Sequence, residues 1–229
     1  MSKTLSVYGE DDKRPVLLDL YCGGGGASEG YSRAGFRVVG VDKNPQPNYP
    51  YEFIRADAIE KAKDWDFLAQ FDAVHASPPC QRYSNASNCR PGLAELYPDL
   101  IAETRMHLKN FGLPYIIENV AGARRLLESP TMLCGAMFGK KTYRHRFFET
   151  TFALEPIGHP AHVVPTSRAG HWKPGTYVSV AGNAAPIKLA KEAMAINWMR
   201  RPELVEAIPP YFTEWIGRQL LAHLQEKVV

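Results

Sequence analysis

The chain has 229 residues, 45% hydrophobic and 22% charged, the proportions of an ordinary globular protein rather than a disordered or fibrous one. That length suits one large domain, or one domain with a small annex. The net charge of +3 permits a nucleic-acid partner without arguing for one, and the longest apolar runs, such as Val16 to Leu20 and Tyr115 to Ile117, fall far short of the ~20 residues that cross a bilayer.

Met1 to Arg14 is a polar, charged lead without the apolar core of a signal peptide, so a cytoplasmic protein is expected. "PVLLDLYCGGGGASEGY" then reads as a buried strand, a glycine turn and a helix. "GFRVVGVDKNP" is an apolar strand ending on Asp42, "IRADAIE" brings a third acidic position at Asp57, and "FDAVHASPPC" is a short strand running into a proline-stiffened loop. Glu95 to Phe111 has helical periodicity, with Leu96, Leu100, Ile101, Met106 and Leu108 as its apolar face. Gly112 stops it, and "LPYIIENV" is one more buried strand. Strands alternating with helices predict an α/β fold, a mostly parallel twisted sheet with helices on both faces, whose ligands bind at the carboxyl ends of the strands. From Phe148 to Val178 the periodicity fades among Pro, Gly, His and Thr residues, a candidate annex. Helical character returns in "KLAKEAMAINWM" and again in "YFTEWIGRQLLAHLQEKV", which Pro209 and Pro210 are placed to start. The expected division is 1–148, 149–187 and 188–229.

Glycines after a strand let a ligand approach the backbone, and the helix that follows presents an electropositive end. They would equally suit a tight turn with no ligand. Asp42 lies about 20 positions on, where a ribose-binding acid belongs. Asp19 inside the apolar strand is out of place beside a diphosphate, and suits a ligand bearing an amino group. The cysteines are Cys22, Cys80, Cys89 and Cys134; with no CxxC pair and no Cys/His spacing of a zinc site, free thiols and no metal are expected. Cys80 is either an inert thiol or a nucleophile. Pro78 and Pro79 restrict the backbone before it, and a nucleophilic thiolate needs a lowered pKa, to which Arg82 would contribute. Glu118 in "ENV" is a helix cap or an acid whose pKa is raised in a cleft. Arg144 and Arg146 in "YRHRFFE" would point the same way on a strand, as a solvated basic face or as contacts to phosphate or base.

Taken in order from about Pro15 to Leu224, these segments resemble the DNA cytosine-5 methyltransferases, which implies an S-adenosylmethionine-dependent, Rossmann-like methyltransferase fold with a very small target-recognition annex. "DLYCGGGGASEGY" is similar to the family's cofactor loop, with Tyr21 where Phe is more usual; "PPCQRYS" to its nucleophile loop; "ENV" to the segment that holds the target base; "YRHR" to its paired arginines, with Thr142 where Gln is common; and "AIPPYFTEWIGRQL" to its last segment, with Glu206 where Asn is often found. The resemblance implies that Asp19, Tyr21, Cys22, Gly23, Gly25, Asp42, Lys43, Asp57, Ala58 and Pro78 bind S-adenosylmethionine. It implies that Cys80, Glu118, Arg144 and Arg146 carry the chemistry on a base flipped out of double-stranded DNA. Gln81, Arg82, Ser84 and Asn119, with Arg168, His171 and Lys173 of the annex, would contact DNA, and Gln81 to Leu93 would close over the base. So short an annex implies a short or relaxed target, and the size is similar to stand-alone bacteriophage methylases, expected as monomers. An RNA (tRNA) cytosine-5 methyltransferase on the same scaffold is the main alternative. A catalytically dead DNA-binding relative leaves Cys80 and Glu118 without purpose, and a nicotinamide-dependent oxidoreductase leaves Asp19 and "PPCQ" without a role.

Overall fold

A computed structural model describes residues 12–80, 83 and 99–226. Gln81, Arg82 and Ser84, the rest of the expected closing segment apart from Tyr83, and Cys89 lie outside the described residues. Seven strands form one sheet: β1 (Val16–Leu20), β2 (Arg37–Asp42), β3 (Glu52–Arg55), β4 (Ala73–Ala76), β5 (Tyr115–Asn119), β6 (Thr131–Leu133) and β7 (Arg146–Thr150). Their order is β3-β2-β1-β4-β5-β7-β6. The pairs from β3 through β5 are parallel, whereas β7 runs antiparallel to both β5 and β6. The helices are α1 (Gly26–Ala34), α2 (Ala58–Lys63), α3 (Trp65–Leu68), α4 (Ile101–Phe111), α5 (Ile187–Met194), α6 (Arg201–Glu206) and α7 (Pro210–Glu226).

The sheet is covered on both faces, which is why β1 and β5 are buried along their whole length. Strand alternation sends Leu18, Val39, Val74 and Ile117 to one face, against Ala62, Phe67, Leu68 and Leu108 of α2, α3 and α4. It sends Leu17, Val38, Ala73 and Ile116 to the other, against Tyr31 of α1 and Phe212, Ile216 and Leu220 of α7. Gly35 at φ 114° ends α1 and Gly112 at φ 88° ends α4, both in the left-handed region that glycine enters without steric cost. Pro210 opens α7 as expected. The expected apolar face of α4 needs one correction. Met106 is 49% exposed, and Thr104 is buried in that face instead, its hydroxyl engaged with Tyr21 Oη at 3.0 Å.

The chain after β7 adds a third layer of packing. β7 continues to Thr150, with Phe148 fully buried. Val178 and Val180 join Ala190, Met194, Met199 and Leu204 in a third apolar cluster. The annex has too few apolar residues for a core of its own, so its later part shares one with α5 and α6. Among the described residues no helix is long and apolar enough to cross a membrane.

Candidate active site

The site lies at the carboxyl ends of β1, β2, β4 and β5, where side chains from four strands converge. After β1 the chain turns through Tyr21 at φ 61° and Gly23 at φ 49° into Gly25 at φ 84°. Cys22 N donates to Val41 O at 3.1 Å, and Gly25 N to Cys22 O at 3.0 Å. Asp42 Oδ2 accepts from Gly23 N at 3.1 Å while Oδ1 accepts from Asn44 N at 2.8 Å, so this carboxylate fastens the glycine turn to the end of β2. A Cβ on Gly25 would come within 2.9 Å of the Tyr49 ring. A Cβ on Gly23 would meet nothing within 4 Å, so its face of the turn is open to a ligand.

Asp19 is 1% exposed. Ser28 Oγ donates to its Oδ2, and Ser28 Oγ in turn lies 2.8 Å from Tyr49 Oη. Oδ1 is buried without a hydrogen-bond partner among the described residues. Burial pushes the Asp19 carboxyl up from 3.8 to about 7, against the Ser28 hydrogen bond and with help from the charges of Asp42 and Glu118. A buried, unpaired carboxylate oxygen next to an open glycine turn fits the ammonium of S-adenosylmethionine. The other expected cofactor residues frame the same rim. Ala56 N donates to Asp42 O at 3.1 Å, and Arg55 Nε to the carbonyl of exposed Lys43 at 3.2 Å. Asp57 is the N-cap of α2, its Oδ1 accepting from Ile59 N at 2.8 Å and Glu60 N at 3.2 Å, and Ala58 is buried behind it.

Cys80 is half-buried four residues beyond β4. Its thiol is pushed up rather than down, contrary to the sequence expectation: burial is the main cause, Glu118 and Glu206 add to it, and Arg146 opposes it. Glu118, on β5, is 5% exposed. Burial raises its pKa against the opposing effects of Arg146, Ser77 and Arg144. Arg146 Nε lies 3.0 Å from Glu118 Oε1 as an ion pair, and its Nη1 donates to His145 O at 3.0 Å. Cys80, Glu118 and Arg146 thus act on one another electrostatically.

The polar groups of two expected contact residues are engaged by the protein itself. Arg144 does not share a face with Arg146. It sits before β7 at φ 36°, outside the strand alternation. Its guanidinium donates to Val180 O at 2.5 Å, to Val205 O at 2.7 Å, and to Ala207 O from Nε at 3.2 Å and Nη2 at 2.7 Å. The bonds to Val205 O and Ala207 O satisfy carbonyls at the end of α6 that the helix leaves unpaired, and the bond to Val180 O ties in the annex, so Arg144 is a positioning residue joining the annex and α6 to the site. Asn119 is 1% exposed. Its Nδ2 donates to Pro78 O at 2.9 Å and its Oδ1 accepts from Val120 N at 2.9 Å, so it fixes the loop that carries Cys80 rather than facing DNA. Arg168, His171 and Lys173 are exposed, the first two joined by an isolated bridge.

Sequence reasoning missed Ser28, Tyr49 and Trp198. Trp198 Nε1 donates to Gly24 O at 2.9 Å, holding the glycine turn from the far end of the chain, and no local pattern marks it. Sequence spacing shows no zinc-site pattern, yet Cys134, His145, His159 and His162 converge in space.

The strand order, the glycine turn after β1, Asp19 within β1 and Asp42 at the end of β2 define an S-adenosylmethionine-dependent methyltransferase fold. The crystal structure of a candidate DNA modification methyltransferase encoded within an E. coli prophage superposes with a TM-score of 0.61 at 14% identity, covering 92% of this chain and 99% of that one. A family profile described as C-5 cytosine-specific DNA methylase matches residues 16–132. The chain belongs to the C-5 cytosine-specific DNA methylase family. The type II methyltransferase M.NgoPII of Neisseria gonorrhoeae is 27% identical over 116 residues, 46% of this chain and 33% of its own. The type II methyltransferase M.AgeI of Thalassovita gelatinovora is 29% identical over 126 residues, 46% of this chain and 28% of its own. The chain spans about a third of the length of these curated relatives.

Proposed function

We propose that this chain transfers the methyl group of S-adenosylmethionine to C5 of cytosine in double-stranded DNA. The observation that carries the reading is the grouping of Cys80, Glu118 and Arg146 beside the glycine turn, with the unpaired Oδ1 of Asp19 buried behind it. The description of the family supports DNA as the substrate.

Asp19 Oδ1 would accept from the ammonium of S-adenosylmethionine, the backbone of Tyr21 to Gly25 would line its amino-acid end, and Asp42 and Asp57 would take its ribose and adenine. When bound, S-adenosylmethionine supplies an electrophilic methyl group on a sulfonium sulfur. Cytosine C5 is too weak a nucleophile to accept a methyl unaided. Cys80 Sγ adds to C6 as the thiolate and makes C5 enamine-like. Glu118, whose pKa burial raises, bonds N3 and the exocyclic amine and so stabilises the charge that addition places on the ring. Arg146 holds the base oxygen. Once C5 carries the methyl group, loss of the C5 proton to solvent and expulsion of Cys80 Sγ as thiolate restore the aromatic ring. A thiolate cannot reach C6 within a stacked duplex, so the base is flipped out. Burial, with Glu118 and Glu206, pushes the Cys80 thiol up, so the thiol must give up its proton before it attacks.

The test maps 5-methylcytosine in the DNA of a host expressing the wild-type chain or Cys80→Ser. Methylation present with the wild type and absent with the variant is expected, and unchanged methylation in the variant would remove Cys80 from the reaction. Purified protein that methylates tRNA but not duplex DNA would overturn the choice of substrate.

A further inference from the structure

A second constellation of reactive side chains lies outside the site just described. Cys134 precedes the 3-10 turn Gly135–Phe138 that follows β6, and its side chain accepts from the backbone of Met137. His145 stands immediately before β7, while His159 and His162 come from the segment after it. One ligand atom from each of these four residues lies within 4.8 Å of the others. Cys134 Sγ is 3.3 Å from His162 Nε2. The His145 and His162 rings stack with centroids 5.0 Å apart, and His159 is 4.8 Å from His162 and 5.8 Å from His145. Tyr143 stacks on His162 at 3.5 Å, and its hydroxyl donates to Val164 O at 2.6 Å. The arrangement is therefore fastened from both sides. His145 Nε2 is buried and has no hydrogen-bond partner among the described residues.

A tetrahedral zinc ion takes sulfur at about 2.3 Å and nitrogen at about 2.0–2.1 Å, which sets its ligand atoms about 3.3–3.6 Å apart. The sulfur–nitrogen separation already has that value. The wider separations close by movement of the exposed His159. A thiolate with three imidazoles selects a borderline-soft ion over magnesium or calcium, which take oxygen ligands.

We propose that Cys134, His145, His159 and His162 form a structural zinc site that staples the segment after β7 to the strand that presents Arg146. Binding releases the Cys134 thiol proton to solvent and uses the imidazoles in their neutral form, so the complex carries one net positive charge. Four protein ligands complete the coordination sphere, so the ion holds the fold and does not take part in methyl transfer. The staple would fix His145, which sits between the positioning Arg144 and the substrate-facing Arg146.

The test uses the full chain without a polyhistidine tag, loaded with zinc sulfate, dialysed and analysed for metal by mass spectrometry. About one zinc per chain is expected in the wild type and about none in His159→Ala/His162→Ala, whose exposed positions leave the fold intact. Cobalt(II) in place of zinc should give tetrahedral absorption bands with a thiolate charge-transfer band that Cys134→Ser removes. A chelator should lower the melting temperature of the wild type and leave that of the double variant unchanged. No zinc retained by the wild type, equal retention by the double variant, or a cobalt spectrum without the thiolate band would each overturn the proposal.

Discussion

Asp19 makes stability and ligand binding depend on pH in a direction its burial dictates. The folded chain holds the Asp19 proton up to about pH 7, against an ordinary 3.8. The unfolded chain therefore gives up that proton first. The stabilising effect of the neutral, buried acid is complete below the ordinary value and is lost as pH rises through about 7. A gap of about three pH units at about 1.4 kcal/mol each amounts to about 4 kcal/mol in full, and linkage places about 3 kcal/mol of it between about pH 4.5 and about pH 7.5. Asp19→Asn keeps the shape and the Ser28 neighbour but cannot ionise. Urea unfolding of both proteins across that range, without ligand, should show the wild type losing about 3 kcal/mol more than the variant. Parallel pH curves for the two proteins would refute the reasoning, because Glu118 and every other titrating group are common to both. The same carboxylate binds an ammonium only when ionised. Affinity for S-adenosylhomocysteine should therefore rise with pH up to about 7 and then level off, and Asp19→Asn should weaken it at least about tenfold and flatten that profile.

Three further substitutions probe the positioning residues and the thiol. Arg144→Met leaves the carbonyls of Val180, Val205 and Ala207 without their donor, and should lower stability by about 3 kcal/mol in urea titration, with activity falling as well. Asn119→Ala releases the Pro78 carbonyl and should cost about 1–3 kcal/mol of stability and lower kcat more than it raises KM, measured by steady-state methyl transfer. Glu206→Gln removes a charge that raises the Cys80 thiol, so alkylation of Cys80, followed by peptide mass spectrometry, should move to lower pH; an unmoved or upward-shifted profile would refute the coupling.

The sequence by itself determined the segments whose chemistry is local. A strand buried on both faces of a parallel sheet reads as a near-continuous apolar run, and β1 and β5 carry that pattern apart from Asp19 in the first and Glu118 and Asn119 at the end of the second. The glycine turn, the Pro-Pro-Cys loop and Glu118 at a strand end are legible for the same reason, since backbone restriction and strand polarity act within a few residues. The fold decided where side chains from distant segments meet. Arg144 and Arg146 are two apart, a spacing that predicts one shared face, yet the positive φ at Arg144 breaks the alternation and aims its guanidinium at carbonyls from residues 180 to 207. Asn119 stands in a recognisable segment, but only the approach of β4 to β5 shows that its amide is spent on Pro78. Cys134 and His162 are separated by 28 residues, and spacing rules for metal ligands describe short loops. The antiparallel return of β7 beside β6, with the following segment docked on Tyr143, brings these two residues together with His145 and His159.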